Sequence, residues 1–465
     1  MVCANSNALK GALKIRDSVK LTLTPLGLVL LLSGCQLFPS AQQSILPPSV
    51  EPIKQESIDS HTFYLSPDQN VVGTLASVTA RETDTLSDIA RNYGLGYNDI
   101  TLANQNSEPW ALTNEQTILL PLRFVLPDTP HQGMVLNLAN MRMFYYPHTP
   151  GGTLLTFPVG IGRQGWNTPL GSTQIMSKKA NPDWTVPASI KREHLMQGDV
   201  LPNVIHSGPD NPLGNYAFSL GFKSILIHGT NKPYGIGMQV SHGCIQLYPE
   251  DIEFLFNKVE VGTPVKIVYQ PYMVAWEGDM LYVEAHPSLE KWAKQQNSLQ
   301  KDLRNKLKKL AAEKHAIVDW KQVDSILQRS DGIPSPVLVN SPDAADISAK
   351  ALLLQHPDKL LNQPQVMELT DQDWSIVTNP MQNRAEAQKL AAMLNHQEPQ
   401  IPARFMDSAD GYKVIAGPFK DSQEAKLNAK RIKHLFELDV TVRAPRNSAY
   451  CINQMLKSVA CKMST

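Results

Sequence analysis

The sequence predicts an α+β multidomain protein: a mainly-β central domain, with a βααβ module before it and an α/β domain at the C-terminal end. The chain has 465 residues, more than one hydrophobic core holds, so it divides into two to four domains. Residues 133–270 read mostly as short β-runs separated by Gly- and Pro-bearing turns. On either side of that region, strand-like runs alternate with helical periodicity. Hydrophobic residues at 42% suit a globular fold, and the balance of 43 Lys+Arg against 43 Asp+Glu leaves no charge field for nucleic acid.

Lys10, Lys14, Arg16 and Lys20 precede the apolar run LTLTPLGLVLLL, residues 21–32. That run suits a signal-peptide core and falls short of the ~20 residues a membrane span needs. It ends in LSGC, residues 32–35, which resembles the bacterial lipobox. The resemblance implies that 1–35 is a lipoprotein signal peptide and that Cys35 carries the lipid. The protein is then periplasmic and lipid-anchored, and Gln36 rather than Asp favours the outer membrane. Residues 36–70 read as a polar, proline-bearing tether. Of the five cysteines, Cys3 leaves with the signal peptide. Cys451 and Cys461 lie close together in the 446–465 tail, either as a disulfide or as two unpaired thiols. Cys244 is left alone, and a lone thiol in an oxidising compartment is a hazard unless buried or used.

Residues 76–122 form the βααβ module. A strand-like VTA leads to Asp84 or Thr85 as N-cap, Leu86, Ile89, Ala90 and Tyr93 recur at helical spacing, and Gly94 ends the helix. A second helix starts near Asn98 or Asp99, and TILLPL closes the unit as a strand. The segments DTLSDIARNYG, DITLANQ and ILLP resemble the LysM module, which implies binding to N-acetylglucosamine-containing glycans such as peptidoglycan. The insert-like SEPWAL, residues 107–112, departs from that pattern and either alters the glycan groove or lengthens a loop.

In the central domain, MVLNLA (134–139) and MRMFYYP (141–147) read as a hairpin. LLTFPVGIG (154–162), STQIMSKK (172–179), SILIHG (224–229) and TPVKIVYQ (263–270) are further strands. YPEDIEFLFNKV, residues 248–259, is a helix. Pro249 suits its first position, and Glu250, Asp251 and Glu253 favour its positive end. Ile252, Leu255, Phe256 and Val259 share one face. His228 on a strand, the SHGC loop of Ser241 to Cys244, and this helix therefore follow one another.

A free cysteine has a pKa of ~8.5 and is only slightly ionised at neutral pH, so a nucleophilic Cys244 needs a base. The helix dipole adds little, because Cys244 lies five residues before Pro249. His228 and His242 are the candidates. In extended backbone, His242 and Cys244 point to similar sides. His228 approaches if the loop GTNKPYGIGMQ folds back. Gly243 permits an unusual backbone angle, and the N–H groups of Gly243 and Cys244 are candidate oxyanion donors. Zinc fits poorly, since neither H-x13-H nor H-x-C is a finger spacing and no fourth ligand is evident. No metal or cofactor is expected. An inert buried cysteine and a cysteine hydrolase of another family are the competing readings.

The stretch IHGTNKPYGIGMQVSHGCIQLYPEDI is similar to the active-site segment of L,D-transpeptidases of the YkuD family. The likeness extends through FPVGIGRQGWNTPLGSTQI, NPDWTVPASIKREH and LPNVIHSGPDNPLGNYAFSLG. It implies a catalytic domain over 133–270. There Cys244 attacks the bond between meso-diaminopimelate and D-Ala of a peptidoglycan tetrapeptide stem, D-Ala leaves, and an amine resolves the thioester. His228 is then the general acid/base, His242 and Ser241 shape the pocket, Gly243 and Cys244 supply oxyanion donors, and Tyr234 and Trp166 contact substrate. Gln246 departs from the Arg that relatives usually carry. It loses charge and bidentate pairing, which puts substrate anchoring in doubt. The acceptor is not legible. A second diaminopimelate gives 3–3 crosslinks, a lysine of an outer-membrane lipoprotein gives wall attachment, a free D-amino acid gives exchange and water gives trimming. The alternative function is a peptidoglycan-binding scaffold lipoprotein with a disabled catalytic domain.

Residues 271–370 read as a solvated helical appendage and linker, with the charged helical run 288–330 followed by GIPSPVLVNSPDAADIS. Residues 371–445 read β-α-β twice, through DWSIVTN, NRAEAQKLAAMLNHQ, ARFMDSADGYKVIAGPF, SQEAKLNAKRIKHLF and LDVTVRA. The segment GYKVIAGPFKDSQEAKLNAKRIK resembles the SPOR domain, which implies binding to peptidoglycan glycan strands. The first strand departs from the family's Gln-x-Gly-Ser/Ala-Phe, carrying IVTNPMQN instead. Peptidoglycan is thus the expected partner of all three domains.

Overall fold

The runs MVLNLA and MRMFYYP form an antiparallel hairpin, Gly133–Asn137 against Arg142–Tyr146, with every residue of both strands buried. Burial on both faces explains why they read as continuous rather than alternating apolar runs. In the computed structural model, which describes residues 61–147, 152–196, 200–397 and 399–446, this hairpin lies inside a nine-stranded sheet. All the described residues belong to one compact unit, Pro52–Thr465. The expected signal peptide, the Cys35 lipidation site, most of the tether and the Cys451/Cys461 pair lie outside the described residues.

From one edge the sheet runs Thr62–Tyr64, Thr153–Pro158, Arg142–Tyr146, Gly133–Asn137, Pro264–Val268, Gly171–Ala180, Tyr216–Leu220, Leu226–His228 and Ile245–Gln246. Two neighbouring pairs are parallel, Pro264–Val268 on Gly133–Asn137 and Ile245–Gln246 on Leu226–His228. A parallel pair needs a crossover, and the second pair uses the loop between His228 and Cys244 for it. Helix Pro249–Lys258 follows at once, with Pro249 in its first turn. Its Ile252, Leu255 and Val259 share a buried cluster with Phe218, Ile227 and Ile245. Cys244 is therefore held between a sheet strand and a helix that pack on the same core. Strand Tyr216–Leu220 and the excursion of helix Ala188–Met196 with its flanking pair Trp184–Thr185 and Val204–Ile205 add to the elements read from sequence. Only Ile190 of that helix is buried, so it carries no apolar stripe to detect.

The module before the nine-stranded sheet has the expected order: Ala76–Thr79, Leu86–Asn92, Tyr97–Ala103, Thr117–Leu120. Thr85 is the N-cap. Its hydroxyl accepts the Asp88 N–H, and Asp88 accepts the Thr85 N–H, both at 3.1 Å. The second helix starts at Tyr97, earlier than expected, because Asp99 reaches back to the Gly96 N–H at 2.9 Å. The module is not self-contained. Leu352–Leu354, from the expected linker, pairs parallel to Ala76–Thr79 as a third strand. Its Leu86, Ile89, Ile100 and Leu120 also share one core with Val135, Phe144, Tyr146 and Leu154 of the nine-stranded sheet. Arg142, fully buried, donates to Asp99 at 2.6 Å, to Gly94 O at 3.2 Å and to Thr156 Oγ1 at 3.2 Å.

The expected solvated helical appendage is instead a small α/β unit. Hairpin strands Tyr272–Glu277 and Met280–Ala285 pair with each other, the second also pairs with Ser335–Pro336, and helices Gln296–Glu313 and Trp320–Arg329 pack on them. Val283, Leu307, Val323, Ile326 and Val337 form its buried core. Dense surface charge on the long helix masked the stripe Leu303, Leu307, Ala311, which falls at four-residue steps and is buried. The C-terminal domain has the expected double β-α-β plan. It is an antiparallel sheet ordered Ala403–Ser408, Gly411–Phe419, Trp374–Thr378, Val440–Arg443, with helices Arg384–Asn395 and Ser422–Phe436.

Candidate active site

The register around Cys244 is set by Ile227 opposite Ile245 and His228 opposite Gln246. One step back, Leu226 faces Cys244, and its N–H lies 3.4 Å from the sulfur. The sulfur also lies 3.8 Å from Ser224 O. His228 is two residues further along the same strand, on the same face as Leu226 and ~6–7 Å along it. Its Nδ1 is 2.6 Å from Gly229 O. A carbonyl only accepts, so Nδ1 carries the proton and Nε2 is the basic nitrogen. Burial pulls the His228 pKa down to about 4, against the backbone hydrogen bonds to Gly229 and Leu213. Burial likewise pushes the Cys244 thiol up, opposed by the Leu226 N–H. No hydrogen bond joins ring and sulfur in this arrangement, and the resting pair is a thiol and a neutral imidazole.

Ser241 closes the turn before the cysteine. Its hydroxyl accepts the Gly243 N–H at 3.1 Å and donates to Cys244 O at 2.6 Å. Gly243 has φ +107°, where a side chain is strained. Beside that kink the two neighbours have different partners: His242 meets Arg163 and Glu193, and the Cys244 sulfur meets Leu226 N–H and Ser224 O. The turn also changes the oxyanion reading, because the Gly243 N–H is already engaged by Ser241.

Sequence reasoning missed three residues. Thr168, buried, accepts the Gly162 N–H at 3.0 Å and donates to Gly243 O at 2.9 Å. Arg163 and Glu193 both meet His242. The His242 Nε2 lies 2.9 Å from Arg163 Nη2 and 3.0 Å from Glu193 Oε2, and Arg163 and Glu193 form an ion pair. Both residues sit in segments that carried the family likeness, yet Glu193 is 49 positions from His242 and no spacing rule links them. Trp166 sits edge-on to the His242 ring, centroids 4.9 Å apart at 74°.

Two of the expected substrate contacts, Tyr234 and Gln246, also have partners within the protein. Tyr234 lies in the short turn Pro233–Gly235, half-buried, with its hydroxyl hydrogen-bonded to Gln397. It lines a cavity with Trp110, Met393, His396 and Phe436, at the junction with the C-terminal domain. Gln246 exchanges two backbone hydrogen bonds with Gly160, each 2.9 Å, and its side chain packs over that glycine. The loop between the two histidines is seated by the N-terminal module. Tyr97 N–H donates to Ile236 O at 2.9 Å and Asn98 N–H to Gly237 O at 3.3 Å, so catalytic-loop carbonyls satisfy N–H groups that a helix start leaves open. Among the described residues, no group of three or more His, Cys, Asp or Glu is arranged to hold a metal ion.

A family model described as the YkuD L,D-transpeptidase catalytic domain matches residues 131–267. Over 223 residues the chain is 40% identical to the probable L,D-transpeptidase YbiS of Escherichia coli K12, covering 47% of this chain and 72% of that one. The chain belongs to the L,D-transpeptidase family. It is also 34% identical over 272 residues to the probable L,D-transpeptidase ErfK/SrfK of Salmonella typhimurium, covering 57% of this chain and 86% of that protein. The NMR structure of the Enterococcus faecium L,D-transpeptidase catalytic domain is 23% identical, with a TM-score of 0.24 over 30% of this chain and 99% of that one. A SPOR-domain model matches residues 371–443, so this L,D-transpeptidase carries a SPOR domain behind its catalytic domain. The matched segments leave the 76–122 module outside them.

Proposed function

We propose that this L,D-transpeptidase acts on peptidoglycan tetrapeptide stems through Cys244. The observation that carries this reading is the free sulfur of Cys244, just before the edge strand and opposite Leu226 on the strand that bears His228 two residues on. With the thiol pKa raised, little thiolate exists beforehand, so the proton must leave as the sulfur attacks. His228, neutral above about pH 4, is ready to take it on Nε2. The sulfur adds to the carbonyl between meso-diaminopimelate and D-Ala. The Cys244 N–H faces the developing oxyanion. Collapse expels D-Ala, whose amine takes the proton back from His228, and an amine acceptor resolves the thioester. A stem amine gives 3–3 crosslinks, and a lipoprotein lysine gives wall attachment. Ser241 and Thr168 fix the turn.

The SPOR domain holds glycan. The 76–122 module, of LysM order, is the seat of the catalytic loop, and lipid on Cys35 tethers the enzyme at the periplasmic face of the outer membrane. Disaccharide-tetrapeptide incubated with the protein is expected to release D-Ala and leave an acyl mass on Cys244. Release that persists in Cys244→Ala would sink the reading.

A further inference from the structure

A base is only as well placed as the backbone that holds it, and the backbone around His228 is not anchored by its own strand alone. His228 is the last residue of Leu226–His228, with Ala217 opposite on one side and Gln246 on the other. Its Nδ1 bonds Gly229 O at 2.6 Å, and Leu213 O is a second backbone partner of the ring. Gly229 lies just beyond the strand, and the turn 211–214 packs directly on it. A Cβ on Gly229 would lie 3.4 Å from Leu213 O. One on Gly214, at φ +66°, would lie 3.2 Å from the Gly229 Cα and 2.9 Å from Thr230 N. The two backbones therefore touch with no side chain between them.

Asn211 holds that turn, and it is 0% exposed. Its Nδ2 donates to Pro182 O at 2.8 Å and to Ile205 O and His206 O at 3.2 Å each. Its Oδ1 accepts the Leu213 N–H at 2.9 Å, and its main-chain oxygen accepts the Gly214 N–H at 3.1 Å. One amide thus ties three stretches together: the exit from strand Gly171–Ala180, the return at Val204–Ile205, and the turn against Gly229. Apolar packing closes such a turn in several ways, whereas a buried amide with both its oxygen and its nitrogen engaged favours one. The neighbours that flank His228, namely Ala217, Gln246, Leu213 and the Ile252 side chain beside Gly229, carry no charge. The ionisable group nearby on its side is the Cys244 thiol, opposite Leu226. Burial is the largest influence on the ring, so its setting depends on how tightly the turn closes.

We propose, on the Cys244–His228 reading above, that Asn211 is a positioning residue for the reaction: its amide fixes the turn 211–214 against Gly229 and thereby sets the direction in which the His228 ring presents its free nitrogen.

Two variants loosen the turn by different routes. Asn211→Ala removes the amide, and Gly214→Ala places a methyl where the Gly229 and Thr230 backbone already lies. In both, water reaches the ring, so its pKa rises from about 4 toward the ordinary 6.5. The full-length protein is assayed for D-Ala release from disaccharide-tetrapeptide as a pH–rate profile. The acid limb is expected to move up by about one pH unit or more. At pH 8 kcat is expected to fall on the order of 10²-fold. Alkylation of Cys244 by iodoacetamide is expected to keep its pH dependence, because the sulfur bonds Leu226 N–H and Ser224 O and not the ring. Asn137→Ala is the control. Asn137 is also 0% exposed, bonds Gln270 O at 3.0 Å, and lies four strands from His228. Its loss is expected to lower the unfolding midpoint and leave the acid limb near pH 4. Should Asn211→Ala leave no folded protein, Gly214→Ala alone decides. An acid limb that stays near 4 in the folded variants, the same movement in Asn137→Ala, or a rate that falls only with the folded fraction would overturn the proposal. Absence of any acyl mass on wild-type Cys244 would instead strike the reading beneath it.

Discussion

At position 244 the fold disfavours the thiolate rather than stabilising it. The sulfur has one N–H donor, from Leu226, and burial outweighs it. Alkylation of Cys244 by iodoacetamide is therefore expected to keep rising with pH past 9, the ordinary value from which its pKa is raised. His228 has the matching shift. Its pKa is lowered to about 4, so the neutral base persists as pH falls and is lost only through about pH 4. The kcat/KM for D-Ala release is expected to show its acid limb there and not near 6.5, measured as a pH–rate profile. Thr168 offers a stability test. Thr168→Val keeps the shape but strands the buried Gly162 N–H and Gly243 O, a cost of about 1–3 kcal/mol in urea unfolding, with slower D-Ala release. Cys244 and its two candidate imidazoles, His228 and His242, were legible as a cluster because a thiol needs an imidazole nearby. Thr168, Arg163 and Glu193 were not, because polar partners 30 or more positions apart leave no periodic trace.

Among elements, the helix Tyr97–Ala103 matters more than its length suggests. Its first N–H groups hold the catalytic-loop carbonyls, and the approach is close enough that a Cβ on Gly237 would lie 2.4 Å from Tyr97 N. Gly237 also has φ +83°, so Gly237→Ala is strained twice over. It is expected to lower kcat for D-Ala release more than it raises KM, because it displaces the loop leading to Ser241. Arg142 locks the same helix from below through Asp99, whose side chain is 10% exposed. Arg142→Ala leaves that carboxylate buried and unpaired, an expected loss of about 3–5 kcal/mol in denaturant unfolding. Strongly periodic elements were readable, such as Pro249–Lys258 with its Pro start and apolar face. The short strands Leu352–Leu354 and Ser335–Pro336 were not, since a two- or three-residue strand exists only through the partner it pairs with.

Across the whole molecule, the SPOR domain is clasped to the N-terminal module next to the catalytic loop. Arg384 pairs with Glu82, Gln388 Nε2 donates to Glu82 O at 3.3 Å, and His396 meets Asp88 at 2.8 Å. Trp110, from the insert-like SEPWAL, packs against the His396 ring at 5.6 Å. For His396, burial lowers the pKa, but the Asp88 charge and its hydrogen bonds outweigh it and the net shift is upward. A raised folded pKa means the contribution is fully present below the unfolded value and is lost as pH rises through the folded one. The SPOR domain is expected to dock less firmly at alkaline pH, seen as faster protease cleavage in residues 362–370. His396→Ala is expected to remove that pH dependence.

The residues alone marked out a lone thiol, two histidines and a glycine at fixed offsets, followed by a Pro-started helix, and the resemblance of that stretch to the L,D-transpeptidases carried the chemistry. Only the tertiary structure decided where that chemistry is held. His242 meets Glu193 and Arg163, Tyr234 meets Gln397 of the SPOR domain, and a distant strand completes the N-terminal module. The physical reason is range: local backbone preference and periodicity act over a few residues, whereas buried polar groups take whatever partner the folded chain brings within hydrogen-bond distance.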